Sequence, residues 1–313
     1  MTTTNTMPGI SLTASPTKRL KTIEVGKRIE AAGFSGIYAP SFGDCLGLCL
    51  SLAHATSTIR LGTSIQPIYF RHPTELALGA AYLHEVSGGR FSLGIGVSHG
   101  PVHNMFGVTE QVGKPLSDTR AYVAAMRAAT KQVGELPPIV LATLRDKMLD
   151  LAIEIGDGAV WANASLSAMA KQAARIPVDR IAAGFHMGNM LPTVVLPENA
   201  SDEQVGAAAD LHRRTLSSYV RLPNYRNYWH DNGYAQEMDG IAEALERKDR
   251  EAIPALMTDR WLADCTLTGT ASQIREGVDA WMAAGISTPI LVPSSISGGQ
   301  FVAIDELLAV YGG

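Results

Sequence analysis

Short apolar runs alternate with amphipathic stretches along most of the chain, and each run ends on small or polar residues. Eight runs read as strands: GISLTA (9–14), GIYAP (36–40), IRLGTSIQ (59–66), RFSLGIGV (90–97), PIVLAT (138–143), GAVWAN (158–163), MLPTVVLP (190–197) and TPILVP (288–293). Brief apolar, β-branched runs bounded by turn residues are the mark of buried strands. Between them, PTKRLKTIEVGKRIEAAG (16–33) repeats apolar residues at helical spacing and stops at Gly33, a good helix terminator. HPTELALGAAYLHEVSGG (72–89) starts behind Pro73 and ends on two glycines, and further helical patterns follow the fourth and fifth strands, at 117–130 and 145–158. This alternation predicts a parallel sheet with covering helices. Eight such units predict closure into a (β/α)8 TIM barrel, with an open doubly wound sheet as the structural alternative. AAGFSGIYAP (31–40) and AAGISTPILVP (283–293) are a weak internal echo of one unit. The stretch 198–268 breaks the rhythm: it is helical and carries RLPNYRNYWHDNGY (221–234). It reads as an elaborated seventh βα connection, either over the barrel mouth or at a subunit contact. No linker stands out, so the expectation is a single domain over 1–313.

Composition narrows the function. The net charge of −4 is spread along the chain, which excludes the basic patch of a nucleic-acid binder. Three cysteines, Cys45, Cys49 and Cys265, give no even disulfide framework and suggest a reducing compartment. The first fifteen residues lack the basic and apolar regions of a signal peptide, and no segment is apolar enough to span a membrane. The expectation is a cytoplasmic protein.

In a parallel barrel, ligands bind where the strands end. Those ends offer Ser41 and Phe42, then Ser64 to Gln66, Val97 to His99, Thr143 to Lys147, and Ala162 with Asn163. The set has no pair of carboxylates and no nucleophile–base pair, and suits a flat, polar, anionic ligand better than acid–base hydrolysis. At LATLRDKM (141–148) a helix is expected to start near Arg145. Its free N–H groups and dipole, with Arg145 and Lys147, suit a phosphate; the alternative is a helix start with ordinary surface charges. The glycines of GIGVSHG (94–100) allow a ring to approach the backbone, but their spacing is not the dinucleotide fingerprint.

The segments LGTSIQPIYFRHPTELA, GGRFSLGIGVSHG, IVLATLRDKMLDLAIEIGDGAV and GTASQIREGVDAWMAAGIST resemble the luciferase-like monooxygenase superfamily, and in it the coenzyme F420-dependent oxidoreductase branch common in actinobacteria. The likeness covers about residues 8 to 293. It implies a barrel of the bacterial-luciferase type with a late helical insertion, a flavin or deazaflavin across its mouth, and a homodimer. It also implies a bulge in the third strand with a non-prolyl cis peptide, here Ser64–Ile65, that presents Ile65 to the ring system while Gln66 reaches its edge. TLRDKM (143–148) matches the family's anion-binding helix start, so Thr143, Arg145 and Lys147 are the expected phosphate contacts, with Ala142 and Met148 beside them. GVSH, that is Gly96, Val97, Ser98 and His99, matches the loop at the pyrimidine end of the ring. Ser41 falls near the substrate face.

Two departures stand out. Sugar-phosphate dehydrogenases of this branch have a catalytic histidine where Phe42 stands here, and a carboxylate where His99 stands. Sugar-phosphate chemistry is therefore not expected. His99 is open to three readings: a catalytic group that protonates or polarises a substrate, a contact to cofactor or substrate, or a bystander. The expected activity is hydride transfer between F420 and a small organic substrate. The alternatives are an FMN-dependent monooxygenase, a non-catalytic flavin- or deazaflavin-binding protein, and a phosphosugar barrel that uses no flavin. Other candidates have plainer readings. Cys45 and Cys49 share a helix face as small core residues. His99 and His103 are four apart, but Pro101 between them argues against a helix and a metal pair. His72 either caps a helix or touches a ligand. The 221–234 aromatics form a lid or a packed helix, and Trp161 either walls the cofactor pocket or fills the barrel.

Overall fold

The computed structural model describes residues 7–41, 43–109 and 112–312. Phe42, the departure from the dehydrogenase pattern, lies outside the described residues. The chain forms two compact units: Met1–Trp161 with Ile176–Gly188, and Ala162–Arg175 with Asn189–Gly313.

In the first unit the strands are β1 (Gly9–Ser11), β2 (Gly36–Ala39), β3 (Arg60–Thr63), β4 (Gln66–Pro67), β5 (Phe91–Gly96), β6 (Ile139–Ala142) and β7 (Gly158–Ala162), followed by the start of β8 (His186–Val195). β1, β2, β3, β5, β6 and β7 are neighbours in that order, while the short β4 adds to β5. All these pairs are parallel, in registers such as Ile10 with Ile37, Leu61 with Phe91, and Leu141 with Ala159. Ile10, Ile37, Leu61, Leu93, Ile95 and Leu141 are buried, which explains why the strands read as continuous apolar runs rather than alternating ones. The predicted third strand is split: β3 stops at Thr63 and β4 resumes at Gln66. Gly33 (φ 80°) follows the first helix, Arg19–Ala31, and Gly88 and Gly89 follow the helix Pro73–Val86, all three in the left-handed region that ends helices.

One aromatic ring organises the early strands. A Cβ at Gly9, Gly36 or Gly62 would lie 2.6, 2.8 or 2.9 Å from atoms of the Tyr38 ring. Three neighbouring strands therefore dispense with side chains to seat it. The ring also stacks on His186, with centroids 6.0 Å apart and planes at 26°.

The second unit holds most of β8, with β9 (Leu267–Gly269) and β10 (Thr288–Ser294) both paired to it. The strand β9 has only three residues between two helices, too short to leave a periodic signal in the sequence. The segment 198–268 is helical as expected, with helices Asp202–Leu216, Pro223–Trp229, Ala235–Glu246, Ile253–Leu256 and Asp259–Cys265. Tyr225, Tyr228 and Trp229 are buried, so these aromatics of 221–234 pack rather than form an open lid. Rings of Tyr225, Trp229 and Trp261 follow one another at 5.3 and 4.8 Å.

His212 is 1% exposed and sits 2.7 Å (Nε2) from Thr268 Oγ1. Burial lowers its pKa to about 4, against a smaller upward effect of the Leu267 backbone. The unfolded chain then takes up the proton first as pH falls, so stability drops progressively from about pH 6.5 to pH 4. His212→Gln is expected to flatten this loss by about one proton's slope. Urea melts at a series of pH values check it; an unchanged slope would contradict the assignment.

Candidate functional site

The site expected at the strand ends can be built within the first unit. At the end of β3 the Thr63 hydroxyl donates to the Gly94 carbonyl at 2.7 Å, and the Ser64 N–H donates to the Ala39 carbonyl at 2.8 Å. The Ser64–Ile65 peptide is cis, as the resemblance implied. Ile65 then lies against β5: a Cβ at Gly96 would be 3.2 Å from Ile65 side-chain carbons and 2.7 Å from Ala142 Cβ, and one at Gly94 would be 2.0 Å from the Thr63 carbonyl oxygen. These glycines therefore serve the chain itself, making room for Thr63, Ile65 and Ala142. Gln66 is buried; its Oε1 accepts from Cys45 Sγ at 3.2 Å and its Nε2 donates to the Pro67 carbonyl at 3.2 Å.

Cys45 and Cys49 share one face of the helix Cys45–Ala55, and Cys49 Sγ reaches the Gly62 carbonyl at 3.5 Å. Burial, with the nearby Asp44 charge, pushes the Cys45 thiol up to about 11, and burial pushes Cys49 well above its ordinary value. Both are unreactive core thiols. His72 takes the capping role: its Nδ1 accepts from the Thr74 N–H at 3.2 Å.

After β5 the chain turns through Ser98 (φ 60°) into the helix Gly100–Phe106. The sequence argued against a helix here because of Pro101, and that expectation is corrected. Pro101 stands in the first turn, where a missing N–H costs nothing. His103 Nε2 lies 2.6 Å from the Val97 carbonyl, and no cluster able to hold a metal occurs among the described residues. His99 is partly buried, and burial, then the nearby His103, lowers its pKa to about 4. At neutral pH it is a neutral imidazole, a hydrogen-bonding group rather than a ready proton donor.

The segment expected to bind an anion begins at Thr143, whose N–H continues the ladder to the Val160 carbonyl at 2.9 Å. The Thr143 hydroxyl is buried and has no hydrogen-bond partner. Arg145 is the N-cap of the helix Asp146–Ile155 and is exposed. Lys147 is also exposed, but it lines a groove of about 400 Å³ with Ser117, Arg120, Asp150 and Glu154, on the flank between two helices. Arg145 and Lys147 both stand at the helix start, as its N-cap and its second residue. Met148 is half-buried one turn in, and Ala142 packs towards Gly96. Ser41 is half-buried after β2. Trp161 is 1% exposed near the end of β7, with its indole N–H unpartnered, which makes it a filler of the interior. Tyr69 and Asp118 were missed in the sequence. The Tyr69 hydroxyl donates to Asp118 Oδ2 at 2.6 Å, and its ring meets His103 edge-on at 5.4 Å.

The chain's residues 5–288 match the family model described as luciferase-like monooxygenase. The chain belongs to the luciferase-like monooxygenase family. A relative in it is the 5,10-methylenetetrahydromethanopterin reductase of Archaeoglobus fulgidus, 24% identical over 75% of this chain and 77% of its own. Among solved structures, the coenzyme F420-dependent tetrahydromethanopterin reductase of Methanopyrus kandleri superposes with a TM-score of 0.74 at 17% identity, covering 97% of each chain. The oxygenating constituent of 3,6-diketocamphane monooxygenase from Pseudomonas putida, in complex with FMN, gives 0.61 at 17% identity over 91% of each. These likenesses establish the fold of this family member as the (β/α)8 TIM barrel of the luciferase-like type. No helix among its described residues is long and apolar enough to cross a membrane.

Proposed function

We propose that this luciferase-like protein is an oxidoreductase that binds coenzyme F420 at the strand ends of its first unit and acts on a small organic substrate. The observation that carries the reading is the Thr143 hydroxyl, buried and unpartnered directly before a helix start flanked by Arg145. A buried hydroxyl without a partner is costly, and an anionic acceptor would satisfy it. The donor set fits a phosphate-bearing ring cofactor: Thr143 and Arg145 for the phosphate, with the helix start, and Ile65, Gln66 and the Gly96–His99 segment for the ring. When bound, a deazaflavin supplies two-electron hydride chemistry. The chain's own part is to hold and orient. Ile65 gives an apolar surface braced by Gly94 and Gly96. Gln66 is fixed in one orientation by Cys45. His99, neutral around pH 7, offers one donor and one acceptor.

The second reading is an FMN-dependent monooxygenase, favoured by the fold likeness to the FMN-bound Pseudomonas putida enzyme. Thr143 and Arg145 would serve either phosphate equally. Fluorescence titration of the purified protein with oxidised F420 and, separately, with FMN decides between them. Micromolar F420 binding with much weaker FMN binding is the expected result. The reverse order would move the protein to the oxygen-using flavin enzymes, and binding of neither would overturn the cofactor assignment.

A further inference from the structure

Between β5 and the helix Gly100–Phe106 the chain makes one sharp turn, and a side chain from that helix closes it. The β5 ladder ends at Gly96, so the Val97 carbonyl has left the strand. Ser98 then adopts φ 60°, a conformation that non-glycine residues seldom hold without support. His99 follows in extended geometry. Six residues after Val97, His103 comes back with Nε2 at 2.6 Å from the Val97 carbonyl. A carbonyl can only accept, so the proton of this bond sits on Nε2.

The imidazole is not free to wander. It is 5% exposed. The Tyr69 ring meets it edge-on, with centroids 5.4 Å apart and planes at 88°. The Tyr69 hydroxyl is held by Asp118 Oδ2 at 2.6 Å, and the same oxygen accepts the Gly113 N–H at 2.9 Å. A run of contacts thus leads from Asp118 on the helix Pro115–Ala128, through Tyr69 after β4, to the histidine that clasps the turn. Phe70 and Phe106, with ring centroids 4.5 Å apart and planes tilted at 31°, tie the same two segments together.

We propose that His103 is a positioning residue. Through the Val97 carbonyl it holds the Val97–Ser98–His99 turn in the shape that meets the ring of the bound cofactor, and Tyr69 and Asp118 fix its orientation. The inference rests on the cofactor reading for its consequence, but the clasp is a property of the protein alone. The two are tested separately.

The variants are His103→Leu, which keeps the bulk and removes the donor, His103→Gln, whose amide nitrogen reaches about as far as Nε2, and His103→Asn, which falls short of it. Amide hydrogen exchange on the protein without cofactor reads the clasp. Faster exchange over 98–107 is expected in the Leu and Asn variants, with near wild-type protection in the Gln variant and unchanged exchange in the second unit. Titration with F420 reads the consequence. The Leu and Asn variants should bind about ten-fold more weakly, with the Gln variant close to wild type. An absorbance shift of F420 on binding is expected with the wild type, lost in Leu and Asn and restored in Gln, a pattern that general loosening of the fold would not give. Unchanged exchange in His103→Leu overturns the clasp. Altered exchange with wild-type affinity and an unaltered absorbance shift overturns its role in positioning. If the wild type itself binds no F420, the cofactor reading fails and the positioning role falls with it, while the exchange result still decides the clasp.

Discussion

Gly94→Ala is expected to destabilise the protein by about 3 kcal/mol, at the upper end of what overpacking costs. The reason is geometric. The added Cβ would sit 2.0 Å from the Thr63 carbonyl oxygen and 3.4 Å from Ile65 Cγ2. The first of these is backbone and cannot rotate away. Either β3 or β5 must shift, and the Thr63 hydroxyl would lose its 2.7 Å bond to the Gly94 carbonyl. Ile65 is carried on the displaced segment, so on the proposed cofactor reading F420 affinity should fall together with stability. Gly79→Ala is the matched control. Gly79 lies within the helix Pro73–Val86, and a Cβ there meets nothing within 4 Å. That substitution should stabilise by about 0.5–1 kcal/mol through helix propensity and the entropy of the unfolded chain. Urea denaturation of the two variants beside the wild type gives both numbers. Equal midpoints for Gly94→Ala and the wild type would mean that the close approach of Thr63 to Gly94 is absent in solution.

Thr143→Val should move stability and binding in opposite directions. In the free protein the Thr143 hydroxyl is buried without a partner, and such a group costs about 1–3 kcal/mol. A methyl of the same shape removes that cost, so the free protein should gain on the order of 1 kcal/mol. On the proposed cofactor reading, the same change removes a donor to the phosphate. A hydrogen bond to a charged group contributes about 1.5–3 kcal/mol, so F420 should bind roughly ten-fold or more weakly. A site that stores an unsatisfied group until its ligand arrives is the usual origin of such a trade-off. Thermal melts with and without F420 measure both arms at once. A variant that is less stable without cofactor, or that binds as well as the wild type, would show that Thr143 is an ordinary core residue. Lys147→Ala should have little effect on affinity, since Lys147 lines the groove with Arg120, Asp150 and Glu154.

What could be read from the sequence was what depends on neighbours along the chain. The eight strand runs were legible because buried parallel strands are apolar throughout, and Gly33 and the Gly88–Gly89 pair marked helix ends by their backbone freedom. The helix start at Arg145–Asp146 was legible from its position after a strand. What was hidden depends on who meets whom. Nothing local to Gly94 and Gly96 says that they make room for Thr63 and Ile65 rather than for a ligand. Nothing in Asp118 announces Tyr69, forty-nine residues earlier. The helix holding His103 was misread because Pro101 was weighed as a breaker, when its place in the first turn made it harmless. The strand β9 was lost because three residues cannot display a period.

The seat of Tyr38 has a bearing on how this chain can change over generations. Gly9, Gly36 and Gly62 have each given up a side chain to one ring. Enlarging any of the three collides with the tyrosine, and shrinking the tyrosine leaves a hole that no single one of them can fill. The four positions are therefore inherited as one character, and a descendant can leave the arrangement only by passing through a less stable intermediate.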